Sequence, residues 1–152
     1  LEGSPLTEVS NSCDFCSLVL STGEGRRRCG QAWSLVDNGQ IHRCHADLLC
    51  VSAPIEVSGL RVAITAACQF TGQAPDAAVP TWQPNFSRLA ADLHLDETDL
   101  RTAAASVRVM PEESLLRVSP LLGRVADTFS EIGEERLNLL GRLQHIAEVS
   151  KI

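Results

Sequence analysis

Pro54-Ile55-Glu56-Val57-Ser58-Gly59-Leu60-Arg61-Val62-Ala63-Ile64 is the stretch whose reading decides the fold class. Apolar and polar residues alternate on both sides of Ser58-Gly59, which is the period of a strand with one face on a core, and the Ser-Gly pair marks a turn. The stretch predicts a β-hairpin over residues 51–70, with its second strand running to about Phe70. Upstream, residues 1–50 carry five of the six cysteines and turn material at Ser21-Thr22-Gly23-Glu24-Gly25 and Asp37-Asn38-Gly39. They show no long helical periodicity and read as a loop-rich half made of short elements.

Downstream, a Pro/Gly/Ala stretch from Thr71 to Pro84 leads into a half in which every apolar pattern is helical. Pro84 opens a helix carrying Phe86, Leu89 and Leu93, and Asp96-Glu97-Thr98-Asp99 supplies an N-cap and acidic first turn for the next. Residues 84–119 thus read as short helices packed on the hairpin. The most regular segment is residues 120–152, where Leu122, Val125, Phe129, Ile132, Arg136, Leu139, Leu143, Ile146 and Ser150 alternate three- and four-residue steps. A seven-residue repeat of that length favours a narrow coiled-coil seam over the broader stripe of a core helix. The segment is expected to leave the domain as a signalling helix and to pair in a parallel homodimer through Phe129, Ile132, Leu139, Leu143 and Ile146. Arg136 at a seam position would cost stability and set register. A long helix kept within the core is the competing reading.

The whole reads as one α+β domain of 152 residues, 44% apolar and only 4% aromatic, long enough to bury a core of its own. A net charge of −6, with no basic run beyond Arg26-Arg27-Arg28, argues against direct nucleic-acid contact, and no apolar stretch approaches a bilayer span. The chain opens Leu1-Glu2-Gly3-Ser4, without methionine or a signal-like region, and reads as a cytoplasmic piece of a longer protein.

Cys13, Cys16, Cys29, Cys44 and Cys50 follow the spacing C-x2-C-x12-C-x14-C-x5-C, with Cys68 on the second strand of the hairpin. Clustered cysteines in a reducing compartment point to metal or redox chemistry more than to disulfides. Zinc and iron–sulfur centres want three or four thiolates converging from separate loops. Cys16, Cys29 and Cys44 are the expected ligands, with Cys13 as the fourth and Cys50 as its alternate. His45, beside Cys44, is either a further ligand or a surface or supporting histidine, and Cys68 reads as a small core residue. Catalysis has thin support. Cys44 or Cys50 with His42 or His45 lacks an orienting third group, and Gly23-Glu24-Gly25 is not a phosphate loop.

Phe15-Cys16, the lone Cys29, Arg43-Cys44-His45-Ala46, the run Ala53 to Gly59, and Gln69 at the end of a strand together resemble the PocR sensory domain family over most of the chain. Asp47 stands where that family prefers glycine, and Cys68 replaces the glycine before Gln69. The resemblance implies a sensor with a PAS- or GAF-like mixed sheet, fused ahead of DNA-binding, kinase, chemoreceptor or cyclase modules, and taking small hydrocarbon derivatives such as diols. From the residues themselves no enzyme activity is expected. The extra thiols Cys13, Cys50 and Cys68 suggest a member that reads metal or redox state. A small-molecule pocket is expected between the hairpin and the Cys44-His45 turn, with His45 and Gln69 as its polar contacts. A structural zinc-binding dimerisation module is the alternative from another class, and a thiol enzyme a third.

Overall fold

Ser58 and Gly59 both take the left-handed region, with φ of 53° and 73°, so the two-residue turn between Val57 and Leu60 matches the twist of its flanking strands. Around this turn the computed structural model describes residues 5–35, 39–72 and 82–150. Asp37 and Asn38 and most of the Thr71–Pro84 connection lie outside them. The elements in chain order are α1 (Asp14–Ser21), α2 (Gly23–Ser34), β1 (His42–Arg43), β2 (Leu49–Val57), β3 (Leu60–Gly72), α3 (Phe86–Leu93), α4 (Glu97–Ala103), a 3-10 turn (Ala104–Ser106), β4 (Arg108–Met110) and α5 (Glu112–Val149). The strands form one sheet in the order β1-β2-β3-β4, antiparallel except for the parallel β3–β4 pair. The architecture is the expected α+β class, a mixed sheet with helices and a long C-terminal helix.

The N-terminal half differs from its sequence reading, because it is built on two helices. The helix α1 buries Phe15 and Val19, one turn apart, and α2 buries Gly25, Gly30 and Ala32. A buried face made of glycine and alanine has no large apolar residues, so α2 shows no hydrophobic period. Thr22 joins the two helices. Its hydroxyl donates to the Val19 carbonyl at the end of α1 (3.0 Å) and accepts from the Gly25 N–H at the start of α2 (2.9 Å). Gly25 is required here, because a Cβ would fall onto the Val19 carbonyl.

The Asp96 cap is as expected, its carboxylate accepting from Thr98 and Asp99 N–H groups, and Asn85 caps α3 one residue after Pro84. These short helices pack on each other and on α1 and α2, whereas the helix lying on the hairpin is α5. The main core cluster joins Phe15, Val19, Ala46, Leu48, Trp82, Leu89, Ala90, Leu93 and Leu100. Trp82 meets Phe15 edge-on at 5.1 Å and donates its indole N–H to the Ala46 carbonyl at 2.9 Å.

The helix α5 begins eight residues earlier than the expected position 120 and runs through Pro120. The proline removes a donor to the Leu116 carbonyl, but both residues are exposed, so water reaches the freed group. Its N-terminal half rests on β2 and β3, with Ala126 buried and Ser130 Oγ accepting from the Glu56 N–H at 3.0 Å. At the hairpin tip Gly133 abuts Val57, and the Glu134 carboxylate accepts from the Ser58 N–H. Every residue from Glu135 to Ser150 is exposed. The seam residues Phe129, Ile132, Leu139, Leu143 and Ile146 are 45–60% exposed, on a stripe separate from the face that meets the sheet.

Candidate functional site

Each thiol of the expected set is placed by a different local device. Cys13 stands at the N-cap of α1, in extended conformation, and Cys16 lies in the first turn of that helix. Cys29 is carried by α2. Cys44 opens the turn between β1 and β2, where its N–H donates to the Leu48 carbonyl (2.8 Å) and its carbonyl accepts from the Asp47 N–H (2.9 Å). Asp47 closes that turn with φ 64°, a left-handed position that glycine fills most easily and that aspartate tolerates.

All four cysteines are free thiols, half-buried, and packed against the core cluster. Cys16 sits among the other three. Burial pushes its thiol well up, and the remaining causes are Cys13, to which it is hydrogen-bonded, and the neighbouring Cys44 and Cys29. Burial, and then Cys44, push the Cys29 thiol up to about 12. Burial also raises Cys44, although hydrogen bonds from backbone amides partly oppose it. Cys16, Cys29 and Cys44 are therefore neutral thiols whose ionised forms are penalised by desolvation and, at Cys16 and Cys29, by neighbouring thiols.

An all-sulfur donor set of this kind suits zinc or an iron–sulfur centre, because a cation supplies the charge that the burial denies. Among the described residues, however, no group of three or more His, Cys, Asp or Glu side chains already stands in an arrangement that could hold a metal ion. The thiols are neighbours rather than a closed ligand shell, and ligation requires them to draw together.

Two expectations about cysteines are corrected. Cys50 and Cys68 are disulfide-bonded across β2 and β3, with Cα atoms 4.2 Å apart. While that bond is closed Cys50 is not available as the alternate fourth ligand, and Cys68 is not simply a small core residue. The pairing follows from a strand irregularity: Glu56 faces Arg61, but Ile55 faces Ala63, and this one-residue shift puts Cys50 opposite Cys68 rather than Ala67. Counting outward from the Ser58-Gly59 turn comes within one residue of it.

Gln69 is the extra residue of a second irregularity, where Leu49 faces Phe70 but Val51 faces Ala67, and it takes φ 75°. Its side-chain carbonyl accepts from the Cys13 N–H at 2.7 Å, so it supports the head of α1. His45 faces the α2 side. Burial lowers its pKa, Arg28 lowers it further and Glu24 opposes, so the ring is neutral, and both ring nitrogens are buried with no hydrogen-bond partner among the described residues. A concavity of about 320 Å³ borders Ser34, Glu56, Gly59, Arg61 and Ile64, and one of about 550 Å³ lies along α5 at Leu137, Asn138, Gly141, Arg142, His145 and Ile146. Neither is bordered by His45 or Gln69.

Sequence reasoning also missed Arg28, which bridges Glu24 (2.7 Å) on its own helix to Asp92 (2.8 Å) of α3 beside the site. Its four-residue spacing from Glu24 signals the first contact, while the second depends on tertiary packing.

No helix among the described residues is long and apolar enough to cross a membrane. No curated protein and no solved structure matches the chain. The family model described as the sensory domain found in PocR matches residues 1–134, ending where α5 passes the hairpin tip. With 134 of its 152 residues covered, the chain belongs to the PocR sensory-domain family.

Proposed function

We propose that this domain senses through its thiol cluster, with Cys13, Cys16, Cys29 and Cys44 taking a zinc ion or an iron–sulfur centre, and that its state is passed to an output module through α5. The observation that carries the reading is the gathering of four free, half-buried thiols from α1, α2 and the β1–β2 turn around Cys16. The bound centre would supply positive charge and cross-links between elements. The chain's own residues do the rest. Gln69 anchors Cys13 to β3, Ser52 on β2 donates to the Trp33 carbonyl of α2 (3.1 Å), and Val57 and Ser58 at the hairpin tip hold Gly133 and Glu134 of α5. A shift at the cluster therefore has a packed route to the long helix, and a bias of a few kcal/mol between two helix arrangements is enough to switch an output.

A parallel homodimer through Phe129, Ile132, Leu139, Leu143 and Ile146 would cover the part of α5 that is left exposed by the described residues. A lone helical segment of about 15 residues is marginal in water. Leu137, Leu139, Leu140, Leu143 and Ile146 of this segment are exposed in the single chain. Paired charged substitutions, Leu139→Glu with Leu143→Glu, should make the full-length protein monomeric while leaving metal uptake intact. Loss of metal uptake in that variant would show that the helix belongs to the core.

The test of the site is metal analysis with an absorption spectrum of anaerobically purified protein. Broad visible absorption supports an iron–sulfur centre, whereas stoichiometric colourless zinc supports a zinc site, and serine at Cys16, Cys29 or Cys44 should lower the metal and open the loops to protease. A fully folded protein that takes up neither metal under reducing conditions overturns the reading.

A second reading rests on His45. A neutral imidazole whose two buried nitrogens have no hydrogen-bond partner among the described residues is a ready polar contact for a small diol, aldehyde or carboxylate. Thermal stabilisation by such compounds at millimolar concentration, lost in His45→Phe, would favour it, and no stabilisation by any of them would remove it.

A further inference from the structure

The Cys50–Cys68 bond and the thiol cluster are joined by a single residue. Cys68 is bonded across the hairpin to Cys50, and the next residue is Gln69. Gln69 is held in the left-handed region as the extra residue of the irregularity on β3, and its side chain accepts from the N–H of Cys13. The thiol of Cys13 is in turn hydrogen-bonded to Cys16 at the centre of the cluster. The bonded pair thus pins the stretch of β3 that orients Gln69.

We infer that Cys50–Cys68 is a reversible thiol–disulfide site, reduced by a dithiol, whose state sets the position of Cys13 in the thiol cluster through Gln69. The inference rests on the reading of that cluster as the sensing site. In the reducing compartment that the sequence reading expects, a disulfide is usually transient and redox-sensing rather than structural.

Exposure decides the direction of attack. Cys50 is fully buried, whereas Cys68 is only half-buried. A thiolate of the dithiol attacks the Cys68 sulfur, forming a mixed disulfide and expelling Cys50 as a thiolate, which takes up a proton. The second thiol of the reductant, once deprotonated, attacks its own sulfur in that mixed disulfide and releases Cys68, which is protonated in turn. Two electrons pass to the protein pair, and the dithiol leaves as a disulfide. A low-molecular-weight disulfide reverses both steps.

With the bond open, nothing covalent holds the extra residue on β3. Non-glycine residues avoid the left-handed region, so local pairing relaxes towards a regular ladder. A one-residue slip turns a side chain to the opposite face of the sheet. That movement withdraws Gln69 from Cys13 and frees the head of α1.

The test is differential alkylation by iodoacetamide with mass spectrometry, on the protein oxidised with glutathione disulfide and on the same protein after dithiothreitol. Cys13 should be alkylated about tenfold faster after reduction, because its local opening is no longer restrained. The double variant Cys50→Ala with Cys68→Ala should react like the reduced protein without any reductant. Gln69→Ala, which keeps the bond, should react fast in both states, so the inference does not depend on how well the double variant folds. Equal Cys13 rates in oxidised and reduced wild-type protein overturn it, as does failure of Cys50 and Cys68 to form a bond under glutathione disulfide. Zinc uptake is measured separately. Its absence in every state counts against the metal reading, while the alkylation result stands by itself.

Discussion

Alanine at position 25 offers a clear test of how the two N-terminal helices are joined, because two effects of known size oppose each other there. In an ordinary helix interior, Gly→Ala stabilises by about 0.5–1 kcal/mol through lost chain entropy and better propensity. At Gly25 the new Cβ would overlap the Val19 carbonyl and approach Thr22 Oγ1 to 2.7 Å. The overlap is with backbone, which gives way less readily than the end of a side chain, and overpacking of this kind costs about 1–3 kcal/mol. Displacing Thr22 also removes the cap on α2, at about 1 kcal/mol. The net expectation is a loss of about 1–3 kcal/mol, which for a domain of this size lowers Tm by about 3–10 °C. Gly141 is the control. It lies in α5 with no described residue within 4 Å of where a Cβ would stand, so Gly141→Ala should be neutral or stabilising. Urea titration and thermal melting followed by circular dichroism report both variants. A Gly25→Ala protein as stable as wild type, or more stable, would refute the close approach of α1 and α2 and with it the placement of Cys16 against Cys29.

Trp82→Phe removes the donor to the Ala46 carbonyl, and an unpaired buried carbonyl costs about 1–3 kcal/mol, to be read as a lower urea midpoint. A midpoint equal to wild type would mean that water reaches that carbonyl. Glu24 accepts from Arg27 and Arg28, which hold its pKa at about 2, below the ordinary value of 4.5. Because the folded value is depressed, the stabilisation is complete above pH 4.5 and fades as the pH falls towards 2. Glu24→Gln should flatten that part of the acid-unfolding profile, and an unchanged profile would assign the acid sensitivity to other carboxylates.

Local features were the legible ones. The hairpin and its turn are encoded within a dozen residues by alternation and by Ser58-Gly59, and the Asp96 cap by a single side chain beside acidic first-turn neighbours. The helix α2 was hidden because its buried positions are glycine and alanine, so its inward face looks no more apolar than a loop. The strand β4, only Arg108-Val109-Met110, exists through parallel pairing with Phe70, Thr71 and Gly72, a partnership with no local signal. At the site, cysteine spacing brought out Cys13, Cys16, Cys29 and Cys44 together. The bond between Cys50 and Cys68 escaped because it depends on a one-residue irregularity in the hairpin, which the pattern of side chains does not announce.

Thr22 serves as the last word of one helix and the first of the next, and so the segment between Cys16 and Cys29 behaves as a ruler without slack. A single inserted residue there would swing every position of α2 by about 100° around its axis, carrying Cys29 away from Cys16, and would part the hydroxyl from one of its two partners. Length changes at this elbow are thus punished twice, in helix termination and in thiol geometry. The count of residues from one thiol to the other is itself a structural element.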